Sequence, residues 1–325
     1  MRFGTMASRL SSVAFLFVSC RAFALERFEA VEPHMGSMVH MVAYAKDAAQ
    51  ARPAFQAAFA RVAELDAILS DYKADSELNR LCAARSMMVS RDLFRVIEAS
   101  QRLAEESEGA FDISAGPIVR LWREARKTRM LPGAEAIESA RALTGWRKLA
   151  LDSARRRVTL AQDAMQLDVG AIAKGYVADE ALTVLKRNGI SSALVGASGD
   201  IAVSEAPPGK RGWDLTVELL GGTRDIQLRN AAVSTAGDTE QFLELNGTRY
   251  SHIIDPRTGM ALQRRIGVSV IAPTGLEADG LDTAISVLGP TRGLDLMKLH
   301  PKASALIVTE EGVVSANRWP SESRR

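Results

Sequence analysis

The chain has 325 residues, of which 47% are hydrophobic and 25% charged, with a formal net charge of +2. These values suit a soluble globular protein of one large domain or two modest ones. A nucleic-acid partner is excluded as a working idea, because the sequence carries neither a basic block nor a basic stripe interleaved with aromatics.

The first residues read as a targeting segment. Arg2 and Arg9 precede the apolar stretch Val13 to Val18, which is too short to span a bilayer, and Ala22-Phe23-Ala24 is a small-x-small cleavage site. The expectation is a signal peptide over 1–24, cleavage after Ala24, export by the general secretory route to the bacterial periplasm, and a mature chain over 25–325. A second reading acylates Cys20 as a lipoprotein anchor, although Phe17 is unusual for that signal. If Cys20 leaves with the signal, Cys82 is the only cysteine left and no disulfide forms. Cys82 stands among Leu81, Ala83 and Ala84, the setting of an inert buried thiol.

Met38 to Ala45 alternates as a strand does. Pro53 then opens a helix whose Phe55, Phe59, Val62, Leu65 and Leu69 recur at helical spacing. A polar loop, Ser70 to Glu77, follows. Ser90 caps a second helix that stops at Gly109, and Gly116-Pro117 punctuates the next loop. Residues 127 to 145 read as a surface excursion ending in a short helix. Leu149–Leu151 and Arg157–Leu160 form a hairpin. Asp168 caps a long helix with the buried stripe Ala178, Ala181, Leu182 and Leu185, ended by Gly189.

Strands dominate from Ala193: Ala193–Val203, Trp213–Leu219, Arg224–Leu228, a hairpin around Asn246-Gly247, and Ile266–Ala272. A helix from about Ala278 to Leu288 stops at Gly289-Pro290, and the strands Ala303–Thr309 and Val313–Ala316 close the chain. Helices and strands mix without strict βαβ alternation, so the predicted class is α+β with mostly antiparallel sheet. No internal repeat, linker or domain boundary stands out.

Six stretches bear on chemistry. Asn246-Gly247 favours a type I′ turn, and the returning strand places Tyr250, His252 and Ile254 on one face before Asp255-Pro256 ends it. His252 is a candidate proton acceptor near neutral pH; the competing reading is a buried, hydrogen-bonded sheet histidine. In Asp168-Val-Gly-Ala-Ile-Ala-Lys174-Gly-Tyr176, small residues at a helix start admit a ligand and Lys174 reaches towards a phosphate; the stretch lacks the glycine spacing of a P-loop. Asp279 and Thr283, four apart on a helix, offer a carboxylate and a hydroxyl to a hard cation such as Mg²⁺, with Asp282 beside them; a solvated acidic first turn explains the same residues. Gly109–Pro117, Gly196–Asp200 and Ser234–Asp238 are three glycine-bounded loops with one aspartate each. Together these suggest a nucleotide-sized ligand.

The combination resembles the ApbE family, the FAD:protein FMN transferases, over nearly the whole mature chain. The matching blocks are Met35-Gly36-Ser37, Ser70 to Glu77, Gly109 to Pro117, Asp168 to Tyr176, Gly199-Asp200, Ser234 to Asp238, Tyr250 to Gly259 and Ala278 to Ala284. The resemblance implies an α+β domain that binds FAD, as substrate, and Mg²⁺. By position, Met35, Tyr72, Ala110, Phe111, Asp112, Asp168, Lys174, His252 and Ile253 match flavin-contacting sites. The backbone carbonyl of Ala171, Asp279 and Thr283 match the metal ligands, and His252 matches the base. The sequence departs from the family at Ala171, where a glycine is common, at Ala197-Ser198, which replace a glycine pair, and at Ser37, which replaces threonine. The implied acceptor is an exported subunit of a membrane electron-transfer complex, and peripheral association with the inner membrane is open. Two other functions stand beside that of a transferase: FAD pyrophosphatase, which uses the same site with water in place of the protein hydroxyl, and a periplasmic flavin-binding protein, which keeps the flavin contacts but needs neither His252 nor the cation helix.

Overall fold

The computed structural model describes residues 24–237 and 242–320. The targeting segment therefore lies outside the described residues except for Ala24, and Asp238 lies outside them too. The order is β1 (Glu26–His34), β2 (Ser37–Ala45), α1 (Ala48–Leu69), α2 (Glu77–Ala84), β3 (Ser86–Met88), α3 (Arg91–Glu106), α4 (Gly116–Thr128), α5 (Ala134–Ala142), β4 (Leu149–Asp152), β5 (Arg157–Leu160) and α6 (Ala173–Arg187). Then come β6 (Ser192–Ala197), β7 (Asp200–Val203), β8 (Trp213–Leu219), β9 (Gly222–Leu228), β10 (Ala231–Gly237), β11 (Phe242–Leu245) and β12 (Thr248–Ser251). The chain finishes with β13 (Ile254–Asp255), β14 (Met260–Ala261), β15 (Ile266–Ala272), α7 (Gly275–Met297), β16 (Ser304–Thr309) and β17 (Gly312–Ala316).

Eight strands form one sheet in the order β1-β2-β6-β7-β10-β15-β16-β17. Its neighbouring strands pair antiparallel throughout, as the α+β reading expects. Strand alternation explains why both faces are covered. On β2, Val39, Met41 and Ala43 enter the main core with α1, α6 and α7, while Val42 enters a second core. On β16, Ala305 and Ile307 take the first side and Leu306 and Val308 the second. The second core is closed by the β8–β9 hairpin, through Trp213, Val217, Ile226 and Leu228. A third core holds Ile118 and Trp122 of α4, Ala140 of α5, Leu243, Tyr250, Ile254 and Ala261.

Several expected boundaries move. α1 begins five residues before Pro53, because the Asp47 side chain accepts the Gln50 amide and caps the helix there. Proline in the second turn forgoes one intrahelical bond, which a 22-residue helix tolerates with its Phe55–Leu69 stripe buried. Gly116-Pro117 opens α4, which the sequence reading treats as loop; a proline in the first turn costs no intrahelical bond, because the amides there have no partner in the helix. α7 starts at Gly275 under a Thr274 cap, and Gly289 (φ 77°) kinks it where a stop was expected. There the Arg264 guanidinium donates to the Ser286 and Val287 carbonyls, both at 2.6 Å, and satisfies the broken turn. Ser234–Gly237 belongs to β10, so the third glycine-bounded loop is a strand. Cys82 is buried as expected; its Sγ accepts the Leu167 amide and burial pushes the thiol up.

Candidate functional site

The centre of the site is where α6 and α7 meet. Gly175 and Gly275 pack backbone to backbone: a Cβ on Gly175 would lie 2.0 Å from the Gly275 carbonyl oxygen, and one on Gly275 2.4 Å from that of Gly175. Only glycine permits this approach. Each helix also caps the other. The Gly175 amide donates to Asp279 Oδ2 at 2.9 Å. In return the Gly275 and Leu276 amides donate to the two oxygens of Asp179 at 2.7 and 3.0 Å. The two helices share one pentad, Gly175-x-x-Ala178-Asp179 and Gly275-x-x-Ala278-Asp279, an internal repeat that the sequence reading passes over. Burial pushes the Asp179 carboxyl up to about 6.

This crossing puts charge where water is scarce. Asp200 at the start of β7, Asp279 and Asp282 are 4%, 3% and 2% exposed. Lys174 reaches between them, with Nζ 3.0 Å from Asp200 Oδ2, 3.8 Å from Asp279 Oδ1 and 3.3 Å from the Gly170 carbonyl. Ser234 Oγ bridges Asp200 and Asp282, and Thr283 Oγ1 donates to Asp282 Oδ1 at 3.2 Å. Burial is the largest influence on Asp279 and Asp282, and repulsion from the neighbouring acids the next. Asp279 is pushed up to about 7 and Asp282 well above the carboxylate range. Lys174 is raised despite its own burial, because Asp279 and Asp200 favour its charge. Three acids against one ammonium leave the pocket short of positive charge.

A hard divalent cation fits that deficit. Among the described residues no three His, Cys, Asp or Glu side chains converge well enough to hold an ion by themselves. The remaining donors must be neutral oxygens, and the Ala171 carbonyl and the Thr283 hydroxyl are of that kind. The acidic turn is buried, so it is not the solvated helix start that the sequence also allowed.

Asp168 is not the cap of α6. The helix starts at Ala173, because Asp168 Oδ1 turns back onto the Gly170 amide at 2.8 Å and the chain makes a turn over 170–172 first. Asp168 Oδ2 instead accepts from Arg123 of α4 at 2.7 Å, and the same guanidinium donates to Asp71. Burial and then Asp71 raise the Asp168 carboxyl. Tyr72, 78% exposed, lies over Arg123, with Cζ 4.6 Å from the ring centroid. Arg123 had no sequence signal, since its helix was not expected.

Residues 109–117 pack beside this segment: the Asp168 amide donates to the Ile113 carbonyl at 2.7 Å. Ala110 and Phe111 are 1% and 3% exposed, so their side chains belong to the core. Asp112 Oδ1 accepts from the Ser114 amide and hydroxyl at 2.8 and 2.7 Å and caps a short 3₁₀ turn. Burial raises its carboxyl. Met35 sits at the β1–β2 turn (φ 51°), on a groove of about 460 Å³ lined by residues 33–38 and Asp66.

His252 departs from the sequence reading in its local structure. The type I′ turn is present, with φ of 51° at Asn246 and 76° at Gly247, and Leu245 faces Thr248. The strand ends at Ser251, however. The Ser251 amide donates to the Leu262 carbonyl at 2.8 Å, and the Leu262 amide to the Ile253 carbonyl at 2.9 Å. Leu262 thus faces the three residues from Ser251 to Ile253, and His252 is the middle one of a bulge with two extra residues, a device that re-aims a side chain. Ser251 Oγ accepts the Ile253 amide at 3.1 Å and fixes the bend. His252 is half-buried, while Ile253 is buried and its backbone groups are used. Tyr250 and Ile254 enter the third core, and His252 does not share their face of a continuous strand. Asp255 closes the segment, accepting from the Arg257 amide and side chain at 2.8–3.0 Å.

Comparison with known proteins shows the family and the fold. The ApbE family model matches residues 35–307. A Treponema pallidum protein described as FAD:protein FMN transferase is 31% identical over 92% of this chain and 89% of its own length. A Klebsiella pneumoniae protein of the same description is 33% identical over 76% of this chain and 75% of its own. Among solved structures, the Pseudomonas stutzeri flavinyl transferase ApbE in apo form superposes with a TM-score of 0.78 at 31% identity, covering 91% of this chain and 95% of that one. A mutant of the Vibrio cholerae flavin transferase ApbE gives 0.81 at 27% identity, covering 89% and 96%. The chain belongs to the ApbE family.

Proposed function

We propose that this protein is a Mg²⁺-dependent FAD:protein FMN transferase acting on an exported acceptor. The reacting hydroxyl belongs to a threonine or serine of that acceptor. Its oxygen attacks the FMN phosphorus of FAD, the pyrophosphate P–O bond to AMP breaks, and AMP leaves. The product carries FMN in phosphoester linkage. His252, thrown out of the strand by its bulge, takes the hydroxyl proton. Lys174 holds positive charge beside Asp200 and Asp279, where a pyrophosphate oxygen needs it. Asp279, Thr283 and the Ala171 carbonyl would hold Mg²⁺, which neutralises phosphate charge when bound. Positioning by these fixed groups supplies the rest, as in other phosphoryl transfers.

The observation that supports this reading most is the trio of buried carboxylates around a single lysine at the mutually capped helix starts. The targeting segment supports a periplasmic location and hence an exported acceptor, such as a subunit of a membrane electron-transfer complex.

His252→Ala tests the transfer step. FMN transfer to an acceptor peptide, read as flavin fluorescence in a denaturing gel, should fall by about 10²–10⁴-fold while FAD binding persists. Undiminished transfer would remove His252 as the base. Release of AMP by the wild type without labelling of any acceptor would favour the pyrophosphatase.

A further inference from the structure

We propose that Arg123 is the positioning residue that fixes Tyr72 as a stacking platform for the flavin ring and ties that platform to Asp168. The inference rests on the transferase reading. Its basis is the number of roles one guanidinium performs. Nη1 donates to Asp71, Nη2 to Asp168 at 2.7 Å, and Cζ lies over the Tyr72 ring, 4.6 Å from its centre. The side chains of Asp71 and Asp168 are 12% and 10% exposed, so both would be costly as uncompensated charges. The cation that compensates them also grips the tyrosine from one side.

Tyr72 needs such a grip. An aromatic residue that is 78% exposed on a polar loop has no core around it to hold its rotamer. Its backbone is nonetheless pinned on both sides, because Asn79 Nδ2 donates to the Asp71 carbonyl at 3.1 Å and to the Lys73 carbonyl at 2.8 Å. The Tyr72 amide donates to Ser70 Oγ at 3.3 Å. Backbone and ring are therefore both held while much of the ring stays open to a planar ligand. Arg123 is itself held by α4, whose Trp122 donates Nε1–H to the Gly259 carbonyl at 2.8 Å and whose Gly116 lies against the Gln166 backbone. A lysine would not reproduce this, since an ammonium lacks the planar fork that serves two carboxylates and a ring at once.

Arg123→Gln, Arg123→Lys and Tyr72→Ala, alone and in the double variant Tyr72→Ala/Arg123→Gln, test the assignment by FAD titration, steady-state kinetics and thermal melting. For Arg123→Gln, the Kd and the KM for FAD should rise by about 3- to 10-fold, the equivalent of one side chain losing its preorganisation. The kcat at saturating FAD should move by less than about twofold, since the lost interaction is with bound ground state and transition state alike. The double variant should be no weaker than Tyr72→Ala alone, because the platform is lost only once. If Arg123→Gln does not fold, Arg123→Lys must show the same rise. Wild-type FAD affinity in the folded variant, or full additivity with Tyr72→Ala, overturns the proposal while leaving the transferase reading intact. A wild-type protein that binds no FAD overturns both.

Discussion

A residue in this site often carries more than one duty, and its substitution must be chosen accordingly. Asp279 is the example. One oxygen accepts the Gly175 amide and seats α6, and the other faces Lys174. Replacement by alanine removes a helix cap and a charge together. Asp279→Asn keeps an acceptor for Gly175 and deletes only the charge. The expected result is a fold of near-normal melting temperature whose Mg²⁺-dependent turnover drops at least as far as the ~100-fold seen for outer partners of metal sites. Near-normal turnover in that variant would move the cation away from Asp279. Lys174 and Asp279, whose side chains meet at the helix crossing, stand in stretches unusual enough to be singled out in the sequence, and so do the candidates Thr283 and His252. What those residues do locally was less legible. Asp168 was read as a helix cap and is a salt-bridge partner of Arg123, since a carboxylate before a helical run looks the same in either role. Ala110 and Phe111 are candidate ligand contacts whose side chains lie in the core, which leaves their backbone to face a ligand; a motif position says nothing about which atoms of a residue are presented.

At the level of elements, the decisive contact is the crossing of α6 and α7. Gly175→Ala places a Cβ 2.0 Å from the Gly275 carbonyl and 2.9 Å from Asp279 Cβ, so the helices must part. The cost should reach or exceed the ~1–3 kcal/mol typical of overpacking, visible in chemical denaturation, and turnover should fall with it because Asp279 moves too. A wild-type denaturation midpoint would mean that the crossing is loose. The first turn of the same helix carries a second device, closed by a residue that follows the helix. His300 lies between Glu277 and Glu106, with ring nitrogens 3.0 and 3.1 Å from their oxygens, and so joins α7 to the end of α3. The hydrogen bond to Glu277 is the largest influence on it, and the two acids outweigh burial, so the imidazolium is favoured and its pKa is raised above 6.5. A raised histidine contributes stability that is fully present below the unfolded value of about 6.5 and is lost as pH rises through the folded value. Wild type should therefore lose melting temperature as pH climbs from 6 through that range by more than His300→Gln does. Parallel profiles would show that the clamp adds nothing. Neither device was foreseen: α7 was expected to stop at Gly289-Pro290, and the matched pentads are too short to register as a repeat.

Taken as a whole molecule, the arrangement explains why sequence revealed the class and missed part of the assembly. Strands with clear alternation, such as β2 and β15, and long striped helices such as α1 were readable, because burial on a large sheet imposes a period. The short α2 and the helix α4 were not, since their boundaries depend on partners distant in sequence. Yet α4 supplies Arg123 and Trp122, so the missed element is what connects the third core to the main one at the site. The candidate ligand contacts are correspondingly dispersed. They come from the β1–β2 turn, the loop after α1, residues 109–117, the turn before α6, the first turns of α7 and the bulge at His252. A ligand that touches all of them stabilises the native state alone, by mass action. FAD at about 100 times its Kd should add about 2.7 kcal/mol. At roughly 2–4 °C per kcal/mol for a chain of this class, the melting temperature should rise by about 5–10 °C. Mg²⁺ should enlarge the shift with FAD far more than it changes the free protein, because the carboxylate pocket supplies few donors until a pyrophosphate completes it. AMP or riboflavin alone should give less, each reaching only part of the dispersed site. Should FAD with Mg²⁺ leave the melting temperature where the free protein has it, the dispersed residues do not form one flavin nucleotide site.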